Sequence, residues 1–237
     1  MHGAWCFEWY VLHPLIVLSQ FHLEELDQEV SEEHSTILPP LFNLLSDSHP
    51  AVQRNAVSAL DALVEGLGTN ILPYLPPLME KLVLLLDNED MALKSTCVGA
   101  IGSCAHAAED AFAPYFQVIM TRLSQLIRTD TLEDDALLLR GIVMDTIGAI
   151  AEGVGKESFT PYLNDLMQVS MQGLSLDHAR LRECTYCFFG VMARLFEEEF
   201  SKYLSGIVPV IINSCKAVEK DFDDNEEGIL LFTLKEE

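Results

Sequence analysis

Cysteine and histidine are the residue types in this chain that could carry nucleophilic or metal chemistry, and their spacing is sparse. Cys184-Thr185-Tyr186-Cys187 is a CxxC pair, a spacing used in zinc sites and in thiol–disulfide exchange. A structural zinc site needs four ligands, yet Cys97, Cys104 and Cys215 lie in different predicted elements without paired spacing. The histidines form no HExxH arrangement, and no GxxxxGK[ST], GxGxxG or GxSxG motif occurs. We therefore predict that Cys184 and Cys187 are packing residues, with no catalytic residue, no metal site and no cofactor.

Carboxylates are the abundant chemical groups of the chain. There are 37 Asp and Glu residues against 14 Lys and Arg residues, a net charge of −23, while 49% of the residues are hydrophobic. Disordered chains combine high net charge with low hydrophobicity, so this composition predicts a packed protein with an acidic surface. Such a surface repels nucleic-acid phosphates and anionic membranes, and it attracts basic partners.

Two further features bear on location. The most apolar early stretch, 9–18, is about half as long as the roughly twenty residues that a membrane-spanning helix needs. The six cysteines are too few for a small disulfide-stapled secreted domain. We expect no transmembrane helix and a reducing compartment.

The elements that position the carboxylates are predicted to be helices arranged as a repeat. Nearly every apolar stretch recurs at i, i+3, i+4 and i+7, which is the period of an amphipathic helix. Four segments share an apolar-x-Pro-Tyr-apolar opening, with Lys202 in place of the last proline, and their tyrosines are 41, 47 and 41 residues apart: Tyr74, Tyr115, Tyr162 and Tyr203. Because proline is tolerated in the first turn of a helix, each opening predicts the first helix of a pair.

Between these openings, a second set of helices carries one apolar stripe. In the first of them, the stripe follows Val52 at offsets of 4, 7, 8 and 11, and three later helices repeat these offsets. The stripe predicts the buried face of each second helix. Its members are Ala56, Ala59, Leu60 and Leu63, then Cys97, Ala100, Ile101 and Cys104, then Val143, Thr146, Ile147 and Ile150, then Thr185, Phe188, Phe189 and Met192. We expect left-handed caps at Gly66 or Gly68 and at Gly153 or Gly155.

Tandem helix pairs of roughly 40–47 residues predict an all-α fold, an α-α superhelix of the HEAT-repeat solenoid type with about five helix-pair units. The predicted units are 35–69, 70–111, 112–156, 157–199 and a partial unit at 200–220. An atypical helical segment, 1–34, precedes them, and an acidic tail or linker, 221–237, follows. Because the last predicted helix is apolar over most of its circumference, we expect the chain to be a piece of a longer solenoid.

Six carboxylates on the second helices lie away from the apolar stripe and are our candidates for binding a basic partner. Asp61 and Glu65 form an i, i+4 pair, and Glu152 has the same register as Glu65. Like charges at this spacing destabilise a helix by a few tenths of a kcal/mol, so a partner compensates them or a solvated face tolerates them. Asp134 and Asp135 lie in the first turn of their predicted helix, where acids complement the helix dipole. This is a second interpretation for that pair. The six are Asp61, Glu65, Asp134, Asp135, Asp145 and Glu152.

Three segments resemble the middle HEAT repeats of importin-β family nuclear transport receptors, especially those of the importin-4-like branch. They are the segments 71–79, 112–116 and 180–189, and the resemblance extends over residues 18–220 but not over 1–17. It implies that second helices line a concave acidic surface, which wraps basic cargo such as core histones and ribosomal proteins, or nuclear localisation signals. It also implies shuttling between cytoplasm and nucleus, with Ran-GTP and Phe-Gly nucleoporins as partners of the full-length receptor. The resemblance further implies that Ran-GTP binds mainly to N-terminal repeats, which we expect this chain to lack.

Two other functions stay open on the sequence. A generic HEAT-repeat scaffold for protein–protein assembly, without a transport role, would have the same fold but no special need for a net charge of −23. A thiol or metal enzyme built on Cys184 and Cys187 would contain bound zinc. The first hypothesis is a non-enzymatic transport receptor fragment that binds basic cargo directly, with no nucleic-acid or membrane partner.

Overall fold

The computed structural model describes residues 27–128 and 131–223, with side chains described within 34–214 apart from that of Glu65 and those of 129 and 130. Within these ranges the chain forms eight α-helices and three short 3-10 helices, without a strand, so the predicted all-α fold is confirmed. The α-helices are α1 (Asp27–Leu44), α2 (Pro50–Leu67), α3 (Leu75–Leu85), α4 (Met91–Ala108), α5 (Ala113–Leu126), α6 (Asp134–Gly173), α7 (Ala179–Phe196) and α8 (Ser201–Asp223). None of the described helices is long and apolar enough to span a bilayer.

The helices of the first compact unit contact one another in pairs. The first helices α1, α3 and α5 contact the second helices α2, α4 and α6, respectively, and α4 packs between α2 and α6. Helix α7 packs against α6 on both sides of the kink at Gly155, since Leu181 approaches Gly141 before the kink and Gly173 after it. The described chain divides into one compact unit that ends at Leu195 and another that begins at Phe196.

The predicted apolar stripe forms the core. Each of its residues is buried, from Ala56 on α2 to Met192 on α7. The two threonines in the stripe satisfy their hydroxyl groups internally: Thr146 Oγ1 donates to the Val98 carbonyl (3.0 Å), and Thr185 Oγ1 donates to the Leu181 carbonyl (2.7 Å). A buried hydroxyl is tolerated where it is hydrogen-bonded, so the stripe keeps its helical period despite these polar residues.

Each second helix is followed or interrupted by a residue with positive φ. These residues are Gly68 (φ 49), Glu109 (φ 47), Gly155 (φ 78) and Glu197 (φ 46). The predicted glycine caps are thus found at Gly68 and Gly155, but their ψ values of −131 and 169 lie outside the left-handed helical region, so the predicted left-handed geometry is wrong. After Gly68 and Glu109 the chain makes a 3-10 turn, whereas after Gly155 it enters the next helix directly, so α6 consists of the two predicted helices separated by a kink at Gly155.

The prolines follow the prediction in one unit and depart from it elsewhere. Pro114 lies in the first turn of α5, whereas α3 begins at Leu75, after the predicted Pro73, and has Pro76 in its first turn. Pro161 lies inside α6, because the helix after Gly155 starts early. Helix α1 runs through the predicted boundary between 34 and 35 and contains Pro39 and Pro40. The segments 1–26 and 224–237 lie outside the described residues, and we keep the repeat boundaries as a proposal.

Candidate functional site

A groove of about 460 Å³ crosses the second helices α2, α4, α6 and α7. Asp61 of α2 lines it on one side, and Asp145 and Glu152 of α6 line it on the other. Between them α4 contributes the small residues Gly99 and Gly102. Because α4 carries no large side chain at these positions, carboxylates from the two neighbouring helices border a single depression.

Asp61 is held in place by the next helix. It is half-buried, and its Oδ1 accepts a hydrogen bond from Ser103 Oγ of α4 (2.6 Å). A Cβ atom at Gly99 would lie 3.7 Å from Asp61 Oδ2, so the glycine leaves room for this carboxylate. Burial raises the pKa of the Cys104 thiol to about 12, and the negative charge of Asp61 adds to that increase.

The two carboxylates from α6 are both exposed but differ in their surroundings. Asp145 contributes its charge to the environment of Arg180, whose pKa is raised mainly by its hydrogen bond to Glu183. Glu152 Oε1 accepts a hydrogen bond from Arg194 Nη2 of α7 at 2.6 Å. In this ion pair the Glu152 side chain is 40% exposed and the Arg194 side chain 67% exposed. Glu152 therefore faces the groove with a cation already beside it.

A second pocket, of about 630 Å³, adjoins the groove. His106 and Glu152 line both, and Glu109, Asp110 and Arg194 line the second pocket alone. Our sequence-based candidates did not include the last three. One signal could have found Arg194: it lies 13 residues after Leu181, just as Glu152 lies 13 after Leu139 and Glu65 lies 13 after Val52. The same register position therefore carries a charged residue in three units.

The remaining predicted site residues do not line the groove, or are not described in enough detail. Asp134 and Asp135 are exposed at the start of α6, where Asp134 Oδ1 lies 3.4 Å from Nε2 of His178, the residue before α7. They are 18 and 17 residues from Glu152, which is roughly 26–27 Å along a helix. Glu65 belongs to α2, and its side chain lies outside the described part of the structure.

The cysteines of the CxxC pair differ in exposure. Cys184 is buried and Cys187 is exposed. Burial raises the pKa of the Cys184 thiol to about 11, and it raises that of Cys97 to about 12. Across the described residues, no three His, Cys, Asp or Glu side chains are grouped so as to hold a metal ion. The buried thiols have the environment of packing residues, because a reactive cysteine needs a stabilised thiolate.

Comparison with known proteins gives one consistent family. The model described as "Importin subunit beta-1-like, TPR repeats" matches residues 15–183. The chain is 46% identical over 209 residues to the probable importin subunit beta-4 of Schizosaccharomyces pombe, which covers 87% of this chain and 19% of that protein. It is 31% identical over 153 residues to human importin-4, covering 63% and 14%, respectively.

Solved structures support the same fold. Kap121p bound to Nup53p superposes with a TM-score of 0.74 at 24% identity, covering 85% of this chain and 19% of that one. Kap121p bound to Pho4p also gives a TM-score of 0.74, at 23% identity and the same coverage. The chain therefore has the helical-repeat fold of these proteins and spans about one fifth of the length of each.

Proposed function

Because this chain belongs to the importin-β family, we propose that it binds lysine- and arginine-rich protein segments as part of a nuclear transport receptor. One observation carries the proposal: four second helices, α2, α4, α6 and α7, line one groove that is bordered by Asp61, Asp145 and Glu152. A basic segment laid across α2, α4 and α6 would meet these carboxylates in succession. Glu65 lies in the same helix as Asp61, one turn further on, and we include it in the proposed site.

The energetics favour many weak contacts over one strong one. An exposed ion pair contributes about 0–1 kcal/mol, so no single carboxylate defines such a site. Several pairs formed together add affinity, and a net charge of −23 speeds the approach of a basic partner. We expect the affinity to fall steeply with salt, since exposed charges are screened over a Debye length of about 10 Å at 0.1 M.

The chemistry of the groove and the relatives support basic proteins as the cargo. Basic proteins such as core histones and ribosomal proteins suit an acidic groove, and nuclear localisation signals share their lysine and arginine content. Structures of Kap121p contain Nup53p and Pho4p, which supports nucleoporins and cargo proteins as partners of a receptor of this type. We extend the proposal to Ran-GTP, to Phe-Gly nucleoporins and to shuttling between cytoplasm and nucleus for the longer receptor. Asp134 and Asp135 would then contact a longer basic segment.

Charge reversal in the groove tests the proposal. We expect the variant D61K/E65K/D145K/E152K to bind a fluorescein-labelled peptide of alternating lysine and glycine more than tenfold more weakly than the wild type at low salt, because four carboxylates that attract the peptide become cations that repel it. A tenfold loss of affinity corresponds to about 1.4 kcal/mol. Fluorescence anisotropy measures the dissociation constant. The control variant E80K/E89K/D177K/E157K changes the net charge equally with exposed residues that do not line the groove.

The same titration separates the competing functions. A generic scaffold predicts equal binding of the basic peptide and of a neutral serine–glycine peptide. If the groove variant and the control variant bind the basic peptide with equal affinity, these residues are removed from the site. Elemental analysis for bound zinc tests the enzyme hypothesis built on Cys184 and Cys187.

A further inference from the structure

Arg194 places a cation of the chain itself where the groove would receive a cation of the cargo. Its Nη2 donates to Glu152 Oε1 at 2.6 Å, from a helix one repeat away. Both side chains remain accessible, at 67% and 40% exposure, so solvent or a ligand can reach the pair. The carboxylate of Glu152 is therefore partly neutralised in the unliganded chain.

The neighbourhood of the pair offers Arg194 a second set of partners. Glu109 and Asp110 line the same pocket as Arg194, whereas Asp61 and Asp145 line the groove and not this pocket. His106 also lines this pocket and is the other titratable side chain shared with the groove. If the Arg194 guanidinium were displaced from Glu152, it would still share a pocket with the carboxylates of Glu109 and Asp110. Displacement would therefore not leave it without a nearby negative charge. An exposed pair of this kind is also weak, about 0–1 kcal/mol.

We propose that Arg194 is a specificity-determining residue of the groove: it competes intramolecularly for Glu152, so that a cargo cation reaches this carboxylate only by displacing it. The proposal rests on the proposed function, because it assumes that the groove takes a basic segment. Its consequence is selectivity. A segment with several cations can bind Asp61 and Asp145 first and then compete locally for Glu152, whereas an isolated cation gains little from a carboxylate that is already paired.

Removing the competitor gives the first test. We expect R194Q to bind the alternating lysine–glycine peptide two- to fivefold more tightly than the wild type at low salt, with the gain lost at high salt. The control R182Q removes one positive charge from the same helix, 12 residues away, where Arg182 pairs with Asp177 rather than with a groove residue. Anisotropy titrations of the 237-residue chain give the dissociation constants, and circular dichroism verifies that each variant remains helical.

The second test asks whether a substitution of Glu152 abolishes the gain in affinity that R194Q causes. In the R194Q background, E152Q should abolish the gain, while E80Q, which removes an equal charge from the exposed face of α3, should preserve it. Equal affinities for R194Q and R182Q would overturn the competitor role while leaving the groove intact. A gain that survives in R194Q/E152Q would also overturn it. If the wild type does not bind the basic peptide at any salt concentration, both the competitor role and the proposed function fail.

Discussion

Gly153 lies where α6 comes close to the backbone of α4. A Cβ atom at this position would lie 2.8 Å from the Ala105 carbonyl oxygen, which is a backbone atom of the neighbouring helix. The contact cannot be relieved by rotating a side chain, so any larger residue must push two core helices apart. Gly153 is therefore the residue that sets the spacing between two repeats beside the groove.

Substitution of Gly153 tests this close approach. We expect G153A to lower the free energy of unfolding by about 1–3 kcal/mol, the usual cost of overpacking a core. The control G190A adds the same methyl group to α7, where the nearest atom would be Arg194 Nη1 at 3.9 Å. Since alanine favours helix by up to about 1 kcal/mol over glycine, G190A should be neutral or stabilising. Urea denaturation measures both, and equal midpoints would contradict the argument.

Thiol reactivity also depends on the surroundings of each individual cysteine. The thiolate is the nucleophile, and burial raises the pKa of Cys97 and Cys104 to about 12 and that of Cys184 to about 11, so these thiols are protonated at neutral pH. Cys187, in contrast, is exposed.

We expect iodoacetamide at pH 7.5 to modify Cys187 well before the three buried cysteines, with all of them modified in urea. Peptide mapping by mass spectrometry resolves the sites individually. Rapid modification of Cys184 in the folded chain would contradict the packing role and reopen the thiol hypothesis.

At the level of the helix, the sequence predicts what is periodic and local. The buried stripe on α2, α4, α6 and α7 was predictable, because a 3.6-residue period leaves one face for the core and the offsets repeat. The pairing of Glu152 with Arg194 was not, because it joins residues 42 positions apart and depends on how two helices stack. The break at Gly155 was predictable, but its backbone geometry was not, since a glycine favours a break without specifying its ψ.

The N-terminal cap of α4 is a local feature whose removal should measurably lower the stability of the chain. Asp90 precedes α4 in extended conformation, and its side chain accepts a hydrogen bond from the Leu93 amide at 2.9 Å. This bond satisfies one of the amides that have no partner inside the helix. The helix it caps is the one that packs between α2 and α6 beneath the groove.

Removal of the cap should therefore weaken the whole repeat array. We expect D90A to lower the free energy of unfolding by about 1 kcal/mol, within the 0.5–2 kcal/mol range for such caps. E89A removes an equal charge from the neighbouring exposed position, and it should have little effect. Thermal unfolding followed by circular dichroism compares the two. The capping role would be excluded if both variants melted together.

Across the whole molecule, the acidic charge has opposite consequences for stability and for binding. With 37 acidic against 14 basic residues, the folded chain repels itself, and unfolding separates the charges. Some charges are paired across repeats, as in Arg122 with Asp87 and Arg128 with Asp165, but these pairs are exposed and individually weak. Self-repulsion should therefore outweigh internal attraction.

Salt dependence distinguishes these two effects. Raising the sodium chloride concentration from about 20 to about 300 mM shortens the Debye length from roughly 20 to roughly 6 Å, which screens both self-repulsion and attraction to a basic peptide. We expect the urea midpoint to rise across this range while the affinity for the lysine–glycine peptide falls. A midpoint that fell together with the affinity would mean that ion pairs between repeats stabilise the fold more than the excess charge destabilises it. The acidic surface would then serve first to hold the repeats together, and its value for binding cargo would have to be argued from the groove alone.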